Sequence, residues 1–254
     1  MAAENPRKNL TVPLAEVIAE CDCYFNANQP EALGEHLRYW LERARELNDR
    51  SSELSLQNEL MGHYRMQRDE VRALQAVKAG VELLYQLHAD HTVSGGTILI
   101  NAATVLQSFD HIAEALKLYT DALDWYTTLL PPGDRRLAGL FNNMASAFEN
   151  NGELRRAEEL YLQALEILQQ HNELMDAAVT YVNLARLYAR SSLSDPSVNT
   201  ALDCAMYCFD SPTAVRNGYY AHTCGKCAPV FAQLERSKDA EELLARAENI
   251  YENT

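Results

Sequence analysis

The chain has 254 residues, enough for one or two globular domains or one array of repeats. Its 47% apolar content is that of a folded protein and argues against disorder. Its 22 basic and 36 acidic residues give a formal charge of −14, which repels phosphate backbones and anionic lipid and so argues against nucleic-acid and membrane-surface partners.

The first twenty residues, MAAENPRKNLTVPLAEVIAE, hold no unbroken apolar run of signal-peptide length, because Glu16 and Glu20 interrupt it. No stretch approaches the roughly 18 apolar residues that a membrane-crossing helix requires. The expected location is the cytoplasm, where the six cysteines would be reduced thiols. Few alternating β-branched runs occur, and long segments carry apolar residues at i, i+3 and i+4, so an all-α fold is expected. The sparse glycines and prolines cluster at Gly95 and Gly96, at 131–134 (PPGD) and at 194–197 (SDPS).

In chain order, six helix pairs are expected within a single repeat domain, at 12–48, 51–89, 94–130, 135–171, 173–210 and 213–252. The first is worn: Cys21, Tyr24, Ala32 and Tyr39 stand where later units carry clearer landmarks, and Pro30 in NQPEAL opens a helix, where its missing N–H does no harm. From the second unit onward, Tyr64, Leu106, Phe148 and Tyr188 recur on first helices at steps of 42, 42 and 40. Ala73, Ala115, Ala157 and Ala201 recur on second helices, followed by Gly80, Ala122, Ala164 and Cys208. Val77, Tyr119, Tyr161 and Ala205 fall between them. The last unit supplies Phe231, Ala240, Leu244 and Ala247. A fixed period near 42 residues marks a stacked array.

The repetition has a packing cause. A single hairpin cannot bury its apolar stripe, and stacked neighbours bury it together. Alanine at Ala145, Ala157 and Ala164 lets helix backbones approach closely, while Phe148 and Tyr161 fill the remaining space. Gly152 in ENNGEL takes the positive φ that ends a helix, and Ser237 in SKDAEE is the expected N-cap of the last helix.

The pattern Asn143, Ala145, Phe148, Gly152, Ala157, Tyr161, Ala164, Leu165 resembles the tetratricopeptide repeat (TPR), and the unit from Asn101 matches nearly as well, with Asp110 in place of the turn glycine. The longer period is similar to the subgroup found in kinesin light chains and bacterial peptide-receptor arrays. The resemblance covers residues 51–210 well, 213–252 moderately and 12–48 loosely. It implies a right-handed superhelical solenoid of about six TPR-like hairpins, whose first helices line a concave groove that binds a peptide or protein segment without chemistry. The two-lysine clamp of chaperone-binding members is not recognisable here.

Helical spacing marks the groove faces. Gly139, Asn142, Asn143, Ser146, Glu149 and Asn150 share one face, opposite Leu140, Met144, Ala147 and Phe148. The third unit offers Thr97, Ile100, Asn101, Thr104, Gln107 and Ser108, and the fifth Val179, Val182, Asn183, Arg186, Ala189 and Arg190. Asn101, Asn143 and Asn183 are expected to line up along the groove, where a carboxamide can pair with both N–H and C=O of an extended chain. The resemblance implies asparagines used in that way. Thr104, Asn142 and Ser146 complete the expected binding face. Arg186, Arg190 and Lys226 would add a basic patch for an acidic side chain or a terminal carboxylate. The alternatives are a solvated polar stripe and arginines paired with neighbouring glutamates.

Cys204, Cys208, Cys224 and Cys227 approach a four-thiolate zinc spacing, C-x3-C and C-x2-C. Packing is the stronger reading, because Cys208 occupies the small-residue position of Ala164 and Ala122. No HExxH, phosphate-binding glycine loop or nucleophile elbow appears, and the seven histidines are scattered, so neither enzyme activity nor a cofactor is expected. Trp40 with Tyr39 and Leu37, and Trp125 with Tyr126 and Leu129, are read as packing residues, with a partner surface as the alternative. The chain stops just after Ile250 and Tyr251 without a polar capping helix, which points to an exposed apolar face and a homodimer. The second functional reading is therefore a regulatory or assembly protein acting as a dimer through its ends or convex face.

Overall fold

The computed structural model describes residues 11–27 and 29–252, so the first ten residues of the N-terminal stretch lie outside the described ones. Among the described residues there are twelve α-helices and no strand. None of these helices is long and apolar enough to cross a membrane. The chain divides into two compact units, one ending at Leu130 and one starting at Pro131.

The first unit contains α1 (Leu14–Asn26), α2 (Pro30–Glu46), α3 (Arg50–Met66), α4 (Glu70–Gln86), α5 (Val93–Ser108) and α6 (Ile112–Leu129). At α3, α4 and α5 the helix starts are set by side chains that satisfy free backbone N–H groups. The Asp49 and Asp69 carboxylates accept from the backbone N–H of Ser52 and Arg72 at 3.1 and 3.0 Å. The Thr92 hydroxyl accepts from Gly95 N–H at 2.9 Å and donates to Ala89 O at 2.6 Å. Pro30 is the first residue of α2, as expected. The first helices α3 and α5 pack together, and α4 packs on both. Between them lies a core of Leu56, Met61, Leu84, Leu99, Tyr119 and Tyr126, with Trp125 beside it. Tyr39 and Leu129, by contrast, are exposed.

The Gly95–Gly96 pair does not break the chain; it lies in the first turn of α5. A Cβ at Gly95 would stand 2.3 Å from the Ala89 carbonyl oxygen, and one at Gly96 would stand 2.4 Å from the Tyr126 ring. These glycines answer a need for close approach rather than for a turn.

At the α5–α6 turn, Asp110 takes φ 64°, a left-handed conformation that costs a residue with a Cβ roughly 1–2 kcal/mol. Glycine would relieve that strain, and part of the gain is offset because glycine raises the entropy of the unfolded chain. Asp110→Gly is therefore expected to stabilise the protein by about 0.5–1 kcal/mol, read as a higher urea midpoint at unchanged slope. A lower midpoint would contradict it.

On α3, His63 is buried against α2, where a Cβ on Gly34 would lie 2.6 Å from its Nε2. Burial, and then the guanidinium groups of Arg38 and Arg72, push its pKa below the usual 6.5, against an opposing pull from Glu31. The unfolded chain thus takes up this proton first. The stability that neutral His63 contributes is complete above about pH 6.5 and is lost as pH falls through the lower folded value. Urea midpoints measured from pH 7 to pH 5 are expected to fall, with a shallower fall in His63→Gln. Equal slopes in the two proteins would contradict this assignment.

The second unit contains α7 (Arg135–Asn150), α8 (Leu154–Gln170), α9 (Leu174–Ala189), α10 (Pro196–Asp210), α11 (Gly218–Gln233) and α12 (Ser237–Glu252). Asp134 caps α7 by accepting from Arg136 N–H at 3.0 Å, and hydrogen bonds from the Arg136 guanidinium and N–H hold its carboxyl down to about 2. Gly152 takes φ 82°, as expected at the α7–α8 turn. Ser237 is the first helical residue of α12 rather than its N-cap. The core is built from Leu140, Tyr161, Phe209, Tyr220 and Phe231, with Ala157 and Ala164 fully buried where α8 meets α7. Helix α9 is central to the unit, packing against α7, α8, α10 and α11.

Candidate peptide-binding faces

Each unit presents first helices side by side, and each joins them through a pair of carboxamides. In the first unit Asn101 on α5 donates from Nδ2 to Oδ1 of Asn58 on α3, at 2.8 Å. In the second unit Asn183 on α9 donates to Oδ1 of Asn142 on α7, at 3.2 Å. All four side chains are half-buried. A bond of this kind uses one donor of one amide and one acceptor position of the other. Asn58 also donates from Nδ2 to Glu59 Oε1 at 3.3 Å. A carboxamide has two N–H donors and two acceptor lone pairs, so one such contact does not exhaust it.

The expected alignment of Asn101, Asn143 and Asn183 is thus drawn differently. Asn183 meets Asn142, one position before Asn143, which is itself half-buried on α7. Asn101 belongs to the other unit, and its partner is Asn58, which stands 43 residues earlier. The repeat step of 42, applied backwards from Asn101, lands on Glu59, one residue past its partner.

Tyrosines from the second helices support both faces from beneath. The Tyr119 hydroxyl lies 3.0 Å from Thr104 Oγ1 and donates to Gln107 Oε1 at 3.1 Å. Burial pushes that hydroxyl up to about 12, so it remains a donor at neutral pH. Thr104 also donates to the Ile100 carbonyl, which fixes its rotamer. In the second unit the Tyr161 hydroxyl donates to Glu149 Oε2 at 3.3 Å, and burial together with that carboxylate pushes its pKa up. Ser146 also bonds to Tyr161. Val182, read as part of the groove stripe, is buried instead.

Glu149, read as part of the groove face of α7, is buried instead. Its side chain is 95% buried, and Arg186 grips it with Nε at 3.4 Å and Nη2 at 3.2 Å. Arg190 donates from Nη1 to the Glu149 backbone carbonyl at 2.8 Å and lies 3.8 Å from the carboxylate. The arginines are therefore paired with a glutamate of their own unit, which was the alternative to a free basic patch. Two guanidinium groups against one carboxylate still leave an excess of one positive charge. Both arginine side chains remain about two-fifths exposed, at 40% and 44%. Lys226 is exposed on α11 and takes no part in the Glu149 contacts. A depression of about 240 Å³ adjoins Asn142, lined among others by Gly139, Arg135 and Asp176.

The architecture is shared with solved structures of low sequence identity. One is the putative kinesin light chain TPR-like repeats of Podosopora anserina, with 17% identity and a TM-score of 0.55 over 78% of this chain and 94% of that one. Another is the apo form of RapI, with 10% identity and a TM-score of 0.67 over 98% of this chain and 85% of that one. A third is NprR in complex with its cognate peptide NprX, with 13% identity and a TM-score of 0.61 over 97% and 68%. The fold is TPR-like. No family model and no curated protein sequence matches the chain.

Four of the six cysteines, Cys21, Cys208, Cys224 and Cys227, are buried within this TPR-like fold, while Cys204 is half-buried and Cys23 is exposed. Burial pushes the thiols of Cys208 and Cys224 up to about 11 and that of Cys227 up to about 12, which keeps them protonated at neutral pH. Among the described residues no three His, Cys, Asp or Glu side chains are placed to hold a metal ion.

Proposed function

We propose that the protein is a non-catalytic interaction module, a cytoplasmic adaptor that holds an extended peptide or protein segment on its first-helix faces. The observation that carries this reading is the pair of half-buried carboxamides bridging neighbouring first helices in each unit, Asn58–Asn101 and Asn142–Asn183. Carboxamides with spare donors and acceptors grip a backbone without demanding particular side chains. Arg186 and Arg190, held by Glu149 yet partly exposed, would add a preference for an acidic side chain or a terminal carboxylate. The TPR-like fold supports the reading, as does the peptide-bound state of the similarly folded NprR.

The experiment is affinity capture with the intact chain as bait, alongside the Asn142→Ala/Asn183→Ala double variant. Partners retained by the parent and lost by the variant are the expected result. An identical captured set from both baits would refute the groove reading.

A further inference from the structure

A second concavity lies away from the first-helix face. In the second unit α8 and α10 flank a cleft floored by α9. Its narrower part, about 210 Å³, is lined by Leu168, Ala177, Tyr207 and Cys208 among others. Its wider part, about 420 Å³, is lined by Leu165, Leu184, Ala201, Thr200 and Glu166 among others. Gln169, Tyr181 and Cys204 line both parts, so the two adjoin, with Gln169 donating to the Tyr181 hydroxyl at 2.8 Å between them. From Ser197 to Cys208 along α10 the cleft runs about 16 Å, at the helical rise of about 1.5 Å per residue. Size and apolar lining are those of small-molecule sites, which hold about 300–1,000 Å³. Leu162 on one bank and Tyr207 on the other are 50% and 75% exposed, so apolar surface continues out of the cleft onto its rim.

The polarity is graded. The narrow end is mainly apolar, with Gln169 and Asn172 at its edge. Its one charged group, Glu173, is already bound by Arg135. The wide end carries Glu166 and the hydroxyls of Ser197 and Thr200. Glu166 is exposed and has no ion-pair partner among the described residues, and no lysine or arginine lines either part. A carboxylate or phosphate head would meet only acidic charge here, whereas a cation would meet its complement.

We propose that this cleft binds a single-chain amphiphile with a cationic head, its apolar tail in the narrow part between Leu168 and Tyr207 and its head beside Glu166. The site is separate from the first-helix faces and stands whether or not they bind a peptide.

Decyltrimethylammonium and decyl sulfate share a tail and differ in the sign of the head. Each is added to the full chain below its micelle concentration and at levels where buried Cys224 and Cys227 stay unreactive. The readout is the alkylation rate of Cys204, measured by peptide mass spectrometry against exposed Cys23. Decyltrimethylammonium is expected to slow Cys204 by about fivefold or more, and decyl sulfate by less than about twofold. Glu166→Lys, an exposed substitution, is expected to reverse the order. An unchanged Cys204 rate with decyltrimethylammonium would overturn the proposal. So would equal protection by both amphiphiles in the parent and in Glu166→Lys.

Discussion

Tyr161→Ala is expected to lower the unfolding free energy by about 3–5 kcal/mol, the cost of deleting a large buried aromatic side chain. Tyr161 is fully buried on α8 and is flanked there by Ala157 and Ala164, which are fully buried as well. Alanine neighbours have no side chain to swing into the space, so the void would persist. Tyr161→Phe keeps the ring and removes only the hydroxyl that donates to Glu149, at an expected cost of about 1 kcal/mol. Urea unfolding followed by circular dichroism separates the two variants. Equal losses would mean that the hydroxyl, and not the packing of the ring among small neighbours, carries the position.

The second large effect concerns binding. Asn142→Ala/Asn183→Ala removes both members of one carboxamide pair, so neither is left unsatisfied, and unfolding should shift by no more than about 0.5 kcal/mol. Affinity for a captured partner segment should fall by roughly thirty- to hundredfold. That corresponds to about 2–3 kcal/mol for two amides, each bonded to the peptide backbone. Isothermal titration with the segment mapped from that partner measures it. A loss of affinity matched by an equal loss of stability would point to damage in the fold instead.

The helical hairpins were legible because their packing solution repeats. Ala115, Ala157, Tyr119 and Tyr161 recur at one step, and all four are fully buried. Phe148 shared that register yet is half-buried, with the Arg156 guanidinium 5.1 Å above its ring. Register fixes the face of a helix, not the depth. Gly95 and Gly96 stood out in the sequence only as a glycine cluster. Their cause is the carbonyl of Ala89 and the ring of Tyr126, which α6 brings back against the start of α5.

The binding faces were legible to within one residue. Asn142 and Asn143 are adjacent on α7, and which of them meets Asn183 depends on how α7 is rotated against α9, which spacing along one helix does not report. Spacing put Glu149 on the groove face, but its burial was not legible because its partners lie 12, 37 and 41 residues away, at Tyr161, Arg186 and Arg190. The cleft between α8 and α10 left no mark in the repeat, since it arises from space between elements and not from any motif.

The most direct test of segment capture on the first-helix face is photo-crosslinking from that face itself. Gly139 lies on α7 one turn before Asn142 and is exposed, and a Cβ there would meet nothing within 4 Å, so a benzoylphenylalanine fits at that position. Exposed Gln163 on α8 serves as the control position. Adducts from position 139 are expected to map to one contiguous stretch of a partner chain and to vanish when Asn142 and Asn183 are both alanine. Adducts arising from position 163 alone, or adducts at 139 that survive the double substitution, would contradict capture by the carboxamides.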